Sequence, residues 1–200
     1  MGVQSFQPAL LDGLGRLGRP DGSSTYLRLS TRPIDQTLAR VPADPAARAR
    51  RRRQVVAGAY ALQRHPNAVV TLAVMGALVP EALAAAARLA ELGVDCDVLC
   101  ITSPDLLFRA VRARQGRGDA QSWILDQVFP ASRATPLVTV LDGHPHTLAF
   151  LSTINNVPIA TLGVDGFGQS GALADTYAYH HIDADAIVGA ALDLLADGAR

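Results

Sequence analysis

The sequence predicts an α/β domain built on a mainly parallel sheet, and three observations carry that expectation. Four short apolar runs recur along the chain: VVTLAVMG (69–76), VDCDVLCIT (94–102), PLVTVLDG (136–143) and PIATLGV (158–164). Segments of helical composition separate them, and strands that alternate with helices imply a parallel sheet covered on both faces, joined by right-handed crossovers. The chain has 200 residues, 49% of them hydrophobic, enough to bury the core of one sizeable domain.

Taken in order, residues 5–18 read as a short helix interrupted by glycine. Residues 23–33 (SSTYLRLSTRP) read as a strand that Pro33 ends, with Tyr26 and Arg28 alternating with Leu27 and Leu29. Prolines at 42 and 45 and the arginine run at 48–53 read as a linker, a solvated tether or salt-bridged strip. Residues 55–65 (VVAGAYALQRH) stay open between two states. Their Ala and Leu favour helix, yet Val56, Gly58 and Tyr60 also fit one face of a strand.

Residues 79–93 form a strongly amphipathic helix. Leu83, Ala86, Leu89 and Ala90 share its face, Pro80 suits its first turn and Gly93 its stop. Ser103 is positioned to cap a helix over 103–115. Residues 145–154 read as a further helix, and two more, 172–181 and 183–197, close the sequence.

The net charge of +0 gives no field that would select nucleic acid or a membrane surface. No stretch approaches the roughly 18 apolar residues of a span, and no signal-peptide pattern opens the sequence, so a cytoplasmic location is expected. Cys96 and Cys100, on one face of a strand, would lie about 13 Å apart, beyond the roughly 7 Å that a disulfide allows. They are expected to be free and buried.

Several motifs compete for a function. GFGQSG has glycines at 166, 168 and 171, the spacing of a dinucleotide-binding turn. That turn should open a strand–helix–strand unit with an acid on the second strand. Only helices follow, so it reads as a glycine-rich turn. Ser170 does not sit in a nucleophile elbow. Asp142-Gly143 followed by Asn155-Asn156 lacks the leading glycine and the spacing of a diphosphate–magnesium motif. His144 and His146 flank Pro145 just past a strand's C-terminal end, with Asp142 nearby, where a metal or small anion could bind. His144 at a helix start with His146 exposed is the blander alternative. His180 and His181 end a helix, where the dipole favours imidazolium.

Together, segments of the chain resemble the C-terminal third of transketolase-type thiamine-diphosphate enzymes, most nearly the single-chain decarboxylating component of pyruvate dehydrogenase. The segments are TYLRLSTRP, the stretch from Gly58 with Tyr60 and Leu62, Thr102-Ser103, the Asp-Gly-Phe-Gly-x-Ser signature (Asp165, Gly166, Phe167, Gly168, Ser170) and His180-His181. The resemblance runs from about residue 5 to residue 196. The chain departs from the family pattern at Gln169, Gly171, Ile182 and the DGHPH loop.

The resemblance implies a three-layer α/β/α fold on a five-stranded mixed sheet, with residues 55–65 as an antiparallel first strand. It implies three regions: 1–35 as the tail of a pyrimidine-binding domain, 36–54 as linker, and 55–200 as the C-terminal domain. It implies thiamine diphosphate and magnesium in the intact enzyme, with none bound by this chain alone. Pyruvate or another 2-oxoacid would be decarboxylated elsewhere and its two-carbon unit passed to a lipoyl-bearing acyltransferase. This domain would support a homodimer and the active-site approach through the loops that carry Asp142, His144, His146, Asp165–Ser170, His180 and His181. A transketolase paralogue, or a free-standing metal- or anion-binding module using the 142–146 loop, is the alternative.

Overall fold

The computed structural model describes residues 3–30 and 32–198. Five strands make one sheet: β1 (Ala59–Gln63), β2 (Val70–Met75), β3 (Cys96–Ile101), β4 (Leu137–Leu141) and β5 (Ile159–Leu162), in the order β1-β3-β2-β4-β5. β1 runs antiparallel to β3, and the other pairings are parallel. The mixed sheet is therefore the one that the resemblance implies.

Eight α-helices accompany it among the described residues: α1 (Val3–Arg16), α2 (Pro45–Ala57), α3 (Val79–Glu91), α4 (Pro104–Arg114), α5 (Trp123–Val128), α6 (His146–Ala149), α7 (Leu173–Tyr179) and α8 (Ala184–Gly198). Alternate strand residues feed two cores. Leu72, Val74, Val98, Cys100 and Val140 pack with Leu89 of α3 and Ile187 of α8. Ala73, Leu99 and Leu141 pack on the opposite face with Leu107 of α4, Leu125 of α5 and Leu148 of α6. The period of two along each strand divides the apolar side chains between the layers.

Residues 55–65 contain both predicted states. α2 continues to Ala57, Gly58 takes a left-handed φ of 116°, and β1 begins at Ala59. A Cβ at Gly58 would stand 2.9 Å from the Ser103 carbonyl oxygen, so the switch from helix to strand requires glycine.

Four expectations change. Residues 45–54, read as part of the linker, belong to α2 (Pro45–Ala57), which Asp44 caps by accepting from the Ala47 N–H at 2.6 Å. The arginines of α2 form none of the ion pairs recorded among the described residues. α1 runs through Gly13 rather than breaking there, and the missing side chain admits Thr25, whose Oγ1 would lie 2.8 Å from a Cβ. Residues 23–30, expected as a strand, have no regular secondary structure and join neither β1 nor β5 at the sheet edges; Thr31 of that reading lies outside the described residues. The buried face of α3 is Ala82, Ala85, Ala86 and Leu89, with Leu83 half-buried and Ala90 exposed, one position round from the predicted stripe.

The N-terminal edge of the sheet is tied by a buried carboxylate that sequence reasoning passed over. Asp97, 1% exposed, accepts from Arg64 Nη1 at 2.6 Å, Arg133 Nη2 at 2.9 Å, Arg133 Nε at 3.2 Å and the His65 N–H at 2.9 Å. Burial pushes its pKa up, but the hydrogen bonds from Arg133, His65 and Arg64 and the Arg64 charge outweigh it and hold the carboxyl below its usual range.

Candidate functional site at the C-terminal edge of the sheet

β2 and β4 are neighbours whose chains leave for opposite faces, β2 into α3 and β4 into α6. Their carboxyl ends therefore frame the kind of crevice in which open α/β sheets place ligands. Gly76 ends β2 with φ 76°, and a Cβ there would come within 3.3 Å of Asp142 Oδ1. Beyond Asp142, the Gly143 carbonyl accepts from the Val164 N–H at 2.9 Å. A Cβ on Gly163 would lie only 2.5 Å from that same oxygen, so the turns after β4 and β5 touch where Gly163 has no side chain.

Arg28 of the 23–30 segment, and Arg32 beyond it, meet this edge. Arg28 Nη2 donates to the Asp142 carbonyl at 2.9 Å, and Nη1 stands 3.8 Å from the Asp142 carboxylate. Arg32 Nη1 donates to the Ala77 carbonyl and to the Tyr177 hydroxyl, each at 3.2 Å, and Nη2 pairs with Glu81 at 3.3 Å. Its guanidinium also lies 5.3 Å from the centre of the Tyr177 ring. Between the segment, α4 and the 143–147 turn lies a groove of about 580 Å³, lined by Arg28, Ser103, Arg109, His144 and Thr147 among others.

The predicted site residues separate into three groups. His144 and His146 meet: their rings are exposed, their centroids are 4.3 Å apart and their Nδ1 atoms are in direct contact. Asp142, expected as a possible third ligand, is instead engaged by Arg28. Among the described residues, no three His, Cys, Asp or Glu side chains are grouped to hold a metal.

Asp165, Gly166, Phe167, Gly168 and Ser170 form the exposed turn after β5, at the same edge. Phe167 is 91% exposed. Gly166 and Gly168 have negative or extended φ and open space where a Cβ would be, so nothing within the chain uses their glycine character. β5 is the last strand among the described residues, and α7 and α8 follow it, so no strand–helix–strand unit surrounds GFGQSG.

His180 and His181 form the stop of α7 rather than joining the other histidines. His181 is left-handed at φ 52°, its N–H donates to the Ala178 carbonyl, and the buried Ile182 donates to Tyr177 at 3.0 Å. This is the cap geometry that ends a helix with a hydrophobic contact. His180 packs edge-on to Tyr179 at 5.0 Å.

Two motifs quoted from the sequence do meet in space. The Thr102 and Ser103 N–H groups donate to the Gly58 carbonyl at 2.8 and 3.0 Å, Thr102 Oγ1 donates to the Val55 carbonyl at 2.7 Å, and Ser103 caps α4. Cys96 and Cys100 are free and buried, and burial above all raises both thiols to about 11. Sequence reasoning missed Arg32, Tyr177 and Gly163. Only the TYLRLSTRP match hinted at the first, and the backbone contact at Gly163 leaves no local signal.

A family model for the transketolase-like TK C-terminal domain matches residues 58–183. The chain belongs to that family. No curated protein sequence matches it. Among solved structures, a transketolase from Pichia stipitis in complex with sedoheptulose-7-phosphate aligns with a TM-score of 0.56 at 15% identity, over 72% of this chain and 19% of that one. The transketolase from Leishmania mexicana aligns with a TM-score of 0.51 at 20% identity, over 72% and 18%. The chain thus spans about a fifth of the length of these transketolases. At such identities the likeness concerns the fold.

Thiamine-diphosphate enzymes of this family hold their cofactor through a diphosphate-bound metal. The donors here do not fit that group. Asp142 lies at the C-terminal edge of the sheet on Arg28, whereas Asn155 donates to the Phe129 carbonyl at 3.0 Å beside the start of β4. The two residues sit at opposite edges.

Proposed function

We propose that this chain is the C-terminal, non-catalytic domain of a thiamine-diphosphate-dependent 2-oxoacid dehydrogenase component, closing one side of the approach to an active site formed by other domains. The observation that carries the reading is the unfinished C-terminal edge. Residues 23–30 belong to no helix or strand, make no backbone-to-backbone hydrogen bond among the described residues, and meet the C-terminal edge through Arg28. Tyr26 in that segment is 87% exposed. A segment of alternating side chains whose main chain makes no such bond can add as a strand to the sheet of another domain. Residues 1–35 are therefore read as the tail of a preceding pyrimidine-binding domain, 36–54 as its connection and 55–200 as the domain proper.

The exposed Phe167 between two glycines supports the same reading, since a turn with unused glycines and a bare aromatic suits contact with another domain or a second subunit. When bound in the intact enzyme, thiamine diphosphate would supply the carbanion chemistry. This chain's residues would orient the neighbouring domain, with Arg28, Arg32 and Tyr177 fixing the arm and Phe167 seated against the partner. A homodimer and a lipoyl-bearing acyltransferase are the proposed larger context.

A transketolase paralogue is the second reading, which the transketolase-like family match supports equally. The experiment mixes the chain with the domains that carry the cofactor, then assays pyruvate decarboxylation and ketol transfer separately. The proposal expects no turnover by the chain alone and restored decarboxylation on mixing. Restored ketol transfer selects the second reading, and turnover by the chain alone refutes both.

A further inference from the structure

We propose that His144 and His146 form a two-imidazole site for a borderline divalent transition metal, of which zinc is the representative ion. The residues are separated only by Pro145, whose ring fixes φ at −60°. This places both imidazoles on one side of the turn, so little side-chain freedom is lost on chelation. Their Nδ1 atoms face each other in direct contact, with ring planes 57° apart. The backbone N–H of His146 lies 3.4 Å from His144 Nδ1. No carboxylate or other side chain among the described residues bonds either ring.

Imidazole nitrogen suits zinc, copper and nickel better than magnesium or calcium. Zinc binds such nitrogens at about 2.0–2.1 Å, and a tetrahedral angle then sets the nitrogens about 3.3 Å apart. A small rotation of two exposed rings provides that opening. Of the other nearby donors, the Asp142 carboxylate faces Arg28 Nη1 at 3.8 Å, and the thiols of Cys96 and Cys100 are buried and protonated. With two protein ligands the ion keeps open positions, the mark of a ligand-binding site rather than a closed structural one. His144 lines the groove of about 580 Å³. The open positions would therefore take water, a carboxylate or a phosphate oxygen at its rim.

Zinc chloride titrated calorimetrically into the full chain should give one saturable micromolar site. H144A and H146A should each weaken it about tenfold or more, since even indirect partners of a metal are worth that much. H180A/H181A and D142N should leave it unchanged. In the wild-type chain, zinc should shift the imidazole resonances of just two of the five histidines, a readout independent of any variant. Absence of saturable heat, affinity unchanged in H144A/H146A, or a loss in D142N as large as that in H144A would each overturn the assignment.

Discussion

The two edges of the sheet solve opposite problems. At the N-terminal edge Asp97 is sealed from water and every lone pair of its carboxylate has a donor, from Arg64, Arg133 and His65. At the C-terminal edge the turns are exposed, the arm makes no main-chain hydrogen bond among the described residues, and an aromatic and two histidines stand in solvent. The first edge stabilises the domain by itself. The second is built for something to be laid against it.

Breaking the closed edge should have the largest effect. Asp97→Ala strands two arginines at a half-buried site and is expected to cost about 3 kcal/mol, the low end for breaking a buried pair, read as a lower urea midpoint with unchanged m-value. Acid should do the same reversibly. Because the folded pKa of Asp97 lies below its unfolded value, its contribution is complete above about pH 4 and fades as pH falls through the folded value. In D97N this acid dependence should flatten.

Next in size is the contact between the two turns. Gly163→Ala puts a Cβ 2.5 Å from the Gly143 oxygen, so the backbone must move, at about 1–3 kcal/mol. Smaller still is the arm. Arg32→Ala should lower stability by about 1 kcal/mol or less, since its ion pair is partly solvated, yet speed trypsin cleavage within 19–40 severalfold. The least effect on the chain alone belongs to Phe167→Ala, within about 0.5 kcal/mol. In the assembled enzyme the same change should weaken domain association at least tenfold, because a bare aromatic is a typical interface anchor. Separately, Cys96 and Cys100 should stay inert to thiol reagents at pH 8 until the chain unfolds, since burial raises both to about 11.

The contrast between the edges also decides what could be read from the sequence. β2 to β5 and α3 were legible because a buried strand is an apolar run and a packed helix has a stripe. The helix-to-strand switch at Gly58 hid because each half carries its own state's signal and the break is one left-handed residue. Asp97 reads as the polar member of an alternating strand, and only its arginines, 33 and 36 positions away, show it to be buried. At the open edge, His144 and His146 were found by residue type. Arg28 meets a carbonyl 114 positions on, and Arg32 a carboxylate 49 positions on, so neither pairing leaves a local pattern. The arm alternates like a strand in sequence, but among the described residues it takes no strand pairing, because pairing depends on a neighbour that its own sequence does not encode.

Amide hydrogen exchange tests the unfinished edge most directly, on the chain alone and after mixing with the cofactor-carrying domains. In the isolated chain, residues 23–30 and 165–170 should exchange at nearly unprotected rates while 96–101 exchange only on global unfolding; mixing should slow the first two segments selectively. Protection of residues 23–30 in the isolated chain to the level of β3, or no change in either segment on mixing, would contradict the account.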